Sequence, residues 1–298
     1  MLPEEDLSQN EAPLIVIVGP TTSGKTGLAI SLAREFGGEI ISADSRAIYK
    51  YMDIGTAKPT ADEQKLAQHW GIDLVEPDEK FTAADFQKYA NNKISEIRSR
   101  GKIPFLVGGS GLYVDGVIYD YEFGDVVDEK MRAELEKMSV AELQKYCEEH
   151  NILLPENSQN KRYLMRAIER KNVVKNNRKN VRNNTIVVGL EVERNELRQR
   201  IADRAEQMFN GGIEQETSFL AERYSFNLES MKSNIYPIVN KMTKGEISRD
   251  EAIQLLQTDD WHLAKRQMTW FRRNPEIKWL SRNVAAKYLA DILQNHQK

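Results

Sequence analysis

Short apolar runs alternate with longer amphipathic stretches along most of this chain. Leu14 to Val18 is an apolar run between Pro13 and Gly19, and it predicts a buried strand. Three more segments have the same character: "EIISAD", "IPFLVGG" and "TIVVGLEV". Helical spacing of apolar residues follows at 26–36, at 81–100 and from Glu196 onward. Strands that alternate with helices of this length predict an α/β fold, a parallel sheet with helices on its faces.

The pattern changes between residues 121 and 184, which are polar and helix-prone without a clear strand. We therefore predict a core formed by residues 1–120 and 185–298, whose C-terminal third is helical, and a mainly helical insertion formed by residues 121–184. The insertion is polarised, because Asp120 to His150 is rich in acidic residues and Lys161 to Arg182 is rich in basic ones. Such a basic segment is either a solvated helix face or a surface for phosphate groups.

Length, net charge, cysteine content and the lengths of the apolar runs limit the kinds of protein that this chain can be. The chain has 298 residues and a formal net charge of −3, so a basic surface would have to be local. Cys147 is the only cysteine, which excludes an intramolecular disulfide and a thiolate zinc cluster. The acidic, polar N-terminus is unlike a signal peptide, and no apolar run approaches the ~18 residues that span a bilayer. We expect a soluble, cytoplasmic monomer without membrane contact.

The strongest motif is a phosphate-binding loop directly after the first predicted strand. It fits G-x-x-x-x-G-K-[ST] and predicts a P-loop NTPase-like core; its residues are Gly19, Pro20, Thr21, Thr22, Ser23, Gly24, Lys25 and Thr26. Gly24 lets the backbone amides form an anion nest at a helix N-terminus, and Lys25 adds a point charge. The hydroxyl of Thr26 is placed to hold Mg²⁺. The loop predicts a diphosphate-like group without identifying what carries it.

Asp44 ends the second predicted strand, so it should face the same crevice as the loop. A carboxylate there is a metal ligand, a helix cap or a general base. The third strand ends in Gly108, Gly109 and Ser110, where a nucleotide hydrolase would carry an aspartate for Mg²⁺. Two glycines permit the close approach of a bulky group, and ATP hydrolysis becomes a weaker hypothesis.

Two further regions carry clustered cations. Arg200 and Arg204 share one face of the helix after "VVGLEV", opposite an apolar stripe. Arginines on such a helix are either solvated or approach transferring phosphates. Trp261 to Lys287 interleaves basic and aromatic residues, which favours either packed tryptophans or stacking platforms for bases.

These motifs occur in one order over nearly the whole chain: "GPTTSGKTGLA", "EIISADSRAIYKYMDIGTAKPT", "GKIPFLVGGSGLYV", "RAIE", "RIADRAEQMFNGG" and "AKRQMTWFRR". Together they resemble the bacterial tRNA dimethylallyltransferases. The resemblance implies transfer of a dimethylallyl group from dimethylallyl diphosphate to N6 of the adenosine immediately 3′ of the anticodon. It implies Mg²⁺ as cofactor and the anticodon stem-loop of tRNA as partner.

The resemblance also implies roles for individual residues. Asp44 matches the family's base, Arg204 its diphosphate-binding arginine, and Thr21 a loop threonine beside the reacting groups. Contacts with tRNA fall on Asp44, Ser45, Arg46, Ala47, Ser110, Arg132, Arg162, Tyr163, Leu164, Met165 and Arg166. The chain departs from the family pattern at Ile235–Pro237, at Trp261 and in the segment before Lys161, all outside the phosphate loop.

Two other functions fit part of the pattern. A small-molecule kinase with a P-loop would explain the core and the arginine pair, but neither the basic insertion nor the Gly108-Gly109-Ser110 strand end. A non-catalytic RNA-binding protein that retains a nucleotide fold would explain the basic insertion. ATP turnover without RNA would favour the first.

Overall fold

A computed structural model describes residues 11–123, 129–170, 180–232 and 235–297. The chain divides into two compact units, one formed by residues 1–120 and 180–298 and the other by residues 121–179. We expected residues 180–184 in the insertion. They join the first unit because the Arg182 N–H donates to the Ile118 carbonyl and the Asn184 carbonyl accepts from the Leu14 N–H. The basic residues within 171–179 lie outside the described residues.

The first unit is built on one parallel sheet of six strands in the order β3-β2-β4-β1-β5-β6. The strands are β1 (Leu14–Val18), β2 (Gly38–Ser42), β3 (His69–Trp70), β4 (Ile103–Gly108), β5 (Thr185–Glu191) and β6 (Lys278–Ser281). The parallel α/β fold with a P-loop-like topology is therefore confirmed. Two expectations were wrong in detail. The second strand ends at Ser42 and not at Asp44, and the C-terminal third is not entirely helical because β6 pairs with β5.

Helices cover the sheet. The helices of the first unit are α1 (Lys25–Phe36), α2 (Ala61–Leu66), α3 (Ala83–Ser99), α4 (Gly111–Ile118), α8 (Arg194–Asn210), α9 (Ile213–Ala221), α10 (Ile235–Thr243), α11 (Arg249–Phe271) and α12 (Arg282–His296). Side chains of α1 and α12 pack with Ile15, Ile17 and Phe105 of the strands in one buried cluster. The rings of Phe86 and Tyr113 stack 4.2 Å apart where α3 and α4 meet. Among the described residues, none of the helices has the length and apolar character to span a bilayer.

The described part of the second unit is helical, with α5 (Glu129–Lys137), α6 (Val140–Glu149) and α7 (Lys161–Arg170). Its buried core is Leu135, Leu143, Cys147, Leu164, Met165 and Ile168. Ser139 begins α6 with a capping box, in which its hydroxyl accepts from the Glu142 N–H and the Glu142 carboxylate accepts from the Ser139 N–H. The spacing of the apolar residues on α7 gives this helix one buried and one exposed face.

Candidate active site

The predicted phosphate loop joins β1 to α1, at the carboxyl end of the sheet where open α/β folds bind ligands. Gly24 takes the left-handed conformation, with φ 86°, directly before α1 begins at Lys25. A side chain would be strained there, so the sequence motif and the backbone agree. The Lys25 ammonium donates to the Pro20 carbonyl at 2.6 Å and to the Ser23 hydroxyl at 3.4 Å. The lysine is thereby held over the loop.

The electrostatics of Lys25 connect the loop to two neighbouring side chains. Burial lowers the pKa of Lys25 to about 8, while the Asp44 carboxylate raises that pKa and the Arg204 guanidinium lowers it. Both charges therefore act on the same ammonium group. Asp44 and Arg204 lie far from the loop in the sequence, and their charges nevertheless change the pKa of Lys25.

Arg204 reaches the loop from α8. Its Nη1 donates to the Thr21 hydroxyl and lies 3.8 Å from Oδ2 of the buried Asp260 on α11. The Nε of Arg204 is buried and has no hydrogen-bond partner among the residues that the structure describes. Thr22 Oγ1 in the loop is also buried and also has no hydrogen-bond partner among the described residues. Buried polar atoms without partners are rare in folded proteins, so the hydrogen bonding of the protein itself is incomplete at Thr22 and at Arg204.

Two more arginines line the loop. Arg200 donates from Nη1 to the Thr22 carbonyl at 3.3 Å and from Nη2 to Glu196 at 2.6 Å. Arg282, the first residue of α12, lies against the first turn of α1, since a Cβ at Gly27 would be 3.1 Å from its Nη2. Arg282 was missed because β6, which carries the chain to this edge, has no clear signal in the sequence. Arg200, Arg204 and Arg282 thus lie at or beside the loop.

Asp44 lies two residues beyond β2, half-buried, in a turn that several hydrogen bonds fix. Its Oδ1 accepts from the Arg46 N–H at 2.8 Å. The next residue, Ser45, donates its N–H to the Ser110 hydroxyl at 2.8 Å, and that hydroxyl lies 3.2 Å from the Ser45 hydroxyl. The Asp44 turn is therefore tied to the end of β4.

The two glycines at the end of β4 accommodate groups of the protein itself. A Cβ at Gly108 would lie 2.1 Å from the Ala43 carbonyl oxygen, and one at Gly109 would lie 2.2 Å from Gln267 Nε2. Neither contact leaves room for a side chain. The expected close approach to these glycines is thus made by the turn before Asp44 and by a glutamine of α11. Gln267 is another residue that the motif analysis did not assign to the site.

Thr26, the expected Mg²⁺ ligand, lies in the first turn of α1 beside the loop. Among the described residues, there is no group of three or more His, Cys, Asp or Glu side chains that could hold a metal ion. Magnesium commonly takes one or two protein oxygens and completes its shell with phosphate oxygens and water. The hydroxyl of Thr26 beside a phosphate loop fits that donor set.

The expected tRNA contacts fall into two classes of exposure. Arg162, Tyr163 and Arg166 are exposed on α7, whereas the side chains of Leu164 and Met165 are buried in the core of the second unit. Arg132 on α5 is partly exposed, and its Nε lies 3.5 Å from Glu169.

In the first unit, Ser45, Arg46 and Ser110 are half-buried and Ala47 is buried. Arg46 donates from Nη1 to the Glu229 carbonyl at 2.6 Å. Direct side-chain contact with a partner is therefore restricted to the exposed and half-buried members of the set.

The regions that depart from the family pattern also have defined environments. Tyr236 is fully buried at the start of α10 and donates its hydroxyl to Glu216 at 2.8 Å. Trp261 on α11 is half-buried, and the Arg198 guanidinium lies 4.8 Å from its ring centroid. Both aromatic side chains are thus engaged by other parts of the first unit.

Comparison with known proteins identifies the family. Residues 47–274 match the family model described as IPP transferase. The chain is 40% identical over 289 residues to a tRNA dimethylallyltransferase of Acetivibrio thermocellus, covering 91% of this chain and 92% of the relative. It is 35% identical to a tRNA dimethylallyltransferase of Staphylococcus aureus, covering 98% of this chain and all of the relative.

Solved structures agree. The full-length tRNA isopentenylpyrophosphate transferase of Bacillus halodurans superposes with a TM-score of 0.73 at 35% identity, over 96% of this chain and 98% of that one. A eukaryotic dimethylallyltransferase acting on tRNA gives a TM-score of 0.74 at 25% identity, over 91% of this chain and 74% of that one. The chain belongs to the IPP transferase family.

Proposed function

We propose that this protein transfers a dimethylallyl group from dimethylallyl diphosphate to N6 of the adenosine 3′-adjacent to the anticodon of tRNA, releasing diphosphate. The relatives that it matches over most of its length are enzymes named for dimethylallyl transfer to tRNA. One structural observation carries the proposal: Arg204 donates to the Thr21 hydroxyl of the phosphate loop, and the Asp44 carboxylate is close enough to raise the pKa of Lys25 in the same loop. A base and a set of cations for a leaving group thus lie together.

The loop and its cations would bind the diphosphate. As the allylic carbon–oxygen bond breaks, negative charge grows on the leaving diphosphate, and preorganised donors stabilise it. These donors are Lys25, Arg204 with its Thr21 contact, and the loop amides other than those of Thr21 and Ser23, which already donate within the protein. Arg200 and Arg282 add positive potential. Mg²⁺ held by Thr26 would neutralise further charge on the phosphate oxygens.

Asp44 would act as the general base for the attacking adenine amine. The lone pair of an exocyclic adenine amine is delocalised, so the amine attacks well only if a base takes its proton as the carbon–nitrogen bond forms. The electron pair of the broken carbon–oxygen bond leaves with diphosphate, and the proton passes to the Asp44 carboxylate. The hydrogen bond from the Arg46 N–H orients that carboxylate.

The adenosine must leave the base stack to reach a half-buried carboxylate, so we propose that it is flipped out. Ser45, Arg46 and Ser110 surround Asp44 and would contact the flipped nucleotide. Arg132, Arg162, Tyr163 and Arg166 would bind the anticodon stem-loop, chiefly through its phosphates. The protein would act as a monomer.

The comparisons do not favour the small-molecule kinase, since the matched relatives are named as transferases acting on tRNA. A purely RNA-binding role would leave unexplained why a carboxylate and several cations lie together at a phosphate loop.

The direct test is incubation with labelled dimethylallyl diphosphate, Mg²⁺ and unmodified total tRNA, followed by nucleoside analysis. We expect label in N6-isopentenyladenosine, dependent on Mg²⁺. ATP turnover without RNA, or tRNA binding without label transfer, would contradict the proposal.

A further inference from the structure

Gln267 bridges two segments of the proposed active site, the phosphate loop and the residues after β4, which follow the paired strands β1 and β4. From α11, its Oε1 accepts from the Thr21 N–H of the phosphate loop at 2.8 Å. Its Nε2 donates to the Gly109 carbonyl after β4 at 3.1 Å. A single side-chain amide therefore spans the phosphate loop and the end of β4.

The β4 end continues the connection to Asp44. Ser110 follows Gly109, and its hydroxyl accepts from the Ser45 N–H at 2.8 Å. Ser45 is the neighbour of Asp44 in the chain. A continuous path thus leads from Thr21 to Asp44. Hydrogen bonds join Thr21 to Gln267, Gln267 to Gly109 and Ser110 to Ser45, and the chain itself supplies the remaining links.

The surroundings are shaped for this glutamine. A Cβ at Gly109 would lie 2.2 Å from Gln267 Nε2, so glycine is required for the amide to approach. Thr21 is buried; its hydroxyl accepts from Arg204 and its N–H donates to Gln267. Gln267 therefore also fixes the residue that holds the proposed diphosphate-binding arginine.

We propose that Gln267 is a positioning residue, which sets the separation between the diphosphate site and the Asp44 carboxylate. The inference rests on the proposed function. Displacement of reacting groups by about 1 Å can cost on the order of 10²-fold in rate. Only an amide supplies both the acceptor for Thr21 and the donor for Gly109, because a carboxylate lacks the donor and a thioether has neither in useful strength.

The test compares Gln267→Glu and Gln267→Met with Gln254→Met, a matched change at an exposed glutamine of the same helix. For the Gln267 variants we expect kcat for dimethylallyl transfer to fall by about 10- to 100-fold. For Gln267→Met, which adds no charge, we expect the Kd for inorganic diphosphate, measured by calorimetry with Mg²⁺, to change less than about threefold because the loop cations remain. Gln254→Met should leave both values unchanged.

The pH dependence of kcat in the two variants separates a positioning role from a general loss of structure. A protonated glutamate recovers the missing donor, so the ratio of kcat for Gln267→Glu to kcat for Gln267→Met should rise as the pH is lowered. The ratio removes any pH dependence that is common to both variants. Gln267→Glu keeps the size of the side chain, so its kcat and pH dependence still test the positioning role if Gln267→Met unfolds.

The outcomes divide clearly. An unchanged kcat in the Gln267 variants, or parallel loss of kcat and of diphosphate affinity in Gln267→Met, would overturn the positioning role while wild-type transfer upholds the proposed function. Absence of transfer by the wild-type protein would instead remove the proposed function itself.

Discussion

The two units of the chain place their charged residues by different physical means. In the first unit, Asp44 and the phosphate loop follow the carboxyl ends of parallel strands, so the sheet brings distant residues to one edge. In the second unit, Arg162 and Arg166 lie on the exposed face of a helix whose other face is core. The first arrangement fixes individual atoms for chemistry, and the second fixes a charged surface. Substitutions should therefore affect rate in one unit and affinity in the other.

The largest effect is expected at Asp44. Asp44→Asn keeps the size of the side chain but removes the proton acceptor, and we expect kcat for transfer to fall on the order of 10²- to 10⁴-fold. Affinity for tRNA, measured by filter binding or anisotropy, should stay within about twofold because no phosphate-binding cation is lost. Unchanged transfer would remove Asp44 from the mechanism.

The second-largest effect is expected for Arg204→Ala. Loss of a preorganised donor to the leaving group typically costs about 10²- to 10³-fold, so kcat for transfer should fall by that order with little change in tRNA affinity. Arg198→Ala is the control, because Arg198 lies on the same helix but over the ring of Trp261. If Arg204→Ala weakened tRNA binding as much as turnover, the arginine would be an RNA contact.

The double substitution Arg162→Ala with Arg166→Ala tests the second unit. Removal of two phosphate contacts should weaken tRNA binding by roughly 10-fold at moderate salt and reduce the slope of log K against log salt by about 1 to 2. At saturating tRNA, kcat should not change. Lys145→Ala on α6, where Lys145 lies 3.6 Å from Glu149, provides a control of the same charge type. A fall in kcat without a fall in affinity would contradict the division of roles.

The smallest effect concerns pH. Because burial lowers the pKa of Lys25 to about 8, the free protein loses this cation as the pH rises through 8 and not near 10.5. We expect kcat/KM for dimethylallyl diphosphate to fall several-fold between about pH 7 and 9, since kcat/KM reports groups of the free enzyme. Diphosphate binding near pH 8 should take up a proton, visible as a buffer-dependent heat. A flat profile would show that Lys25 does not contribute to binding through its charge.

Local signals explain what the sequence could predict. The strand before the phosphate loop, the glycine that must adopt positive φ and the helix that follows are encoded within a few residues, and the structure has them where the motif indicates. The two arginines of α8 likewise follow from helical spacing against a buried apolar face.

The features that the sequence could not predict depend on contacts between segments far apart in the chain. The strand β3 has two residues and β6 has four, too short to show a period, so the arrival of Arg282 at the loop was missed. The contact of Gln267 with Thr21 joins residues 246 positions apart. Such contacts depend on how α11 packs, and no local pattern encodes that packing.

The most direct test of the central claim is a crystal structure of the protein with Mg²⁺, diphosphate and an anticodon stem-loop RNA. We predict that the diphosphate lies in the loop within hydrogen-bond reach of Lys25 and Arg204. We also predict that N6 of a flipped adenosine lies about 2.6–3.2 Å from the Asp44 carboxylate. Diphosphate bound away from the loop, or an adenosine that stays stacked and distant from Asp44, would contradict the account.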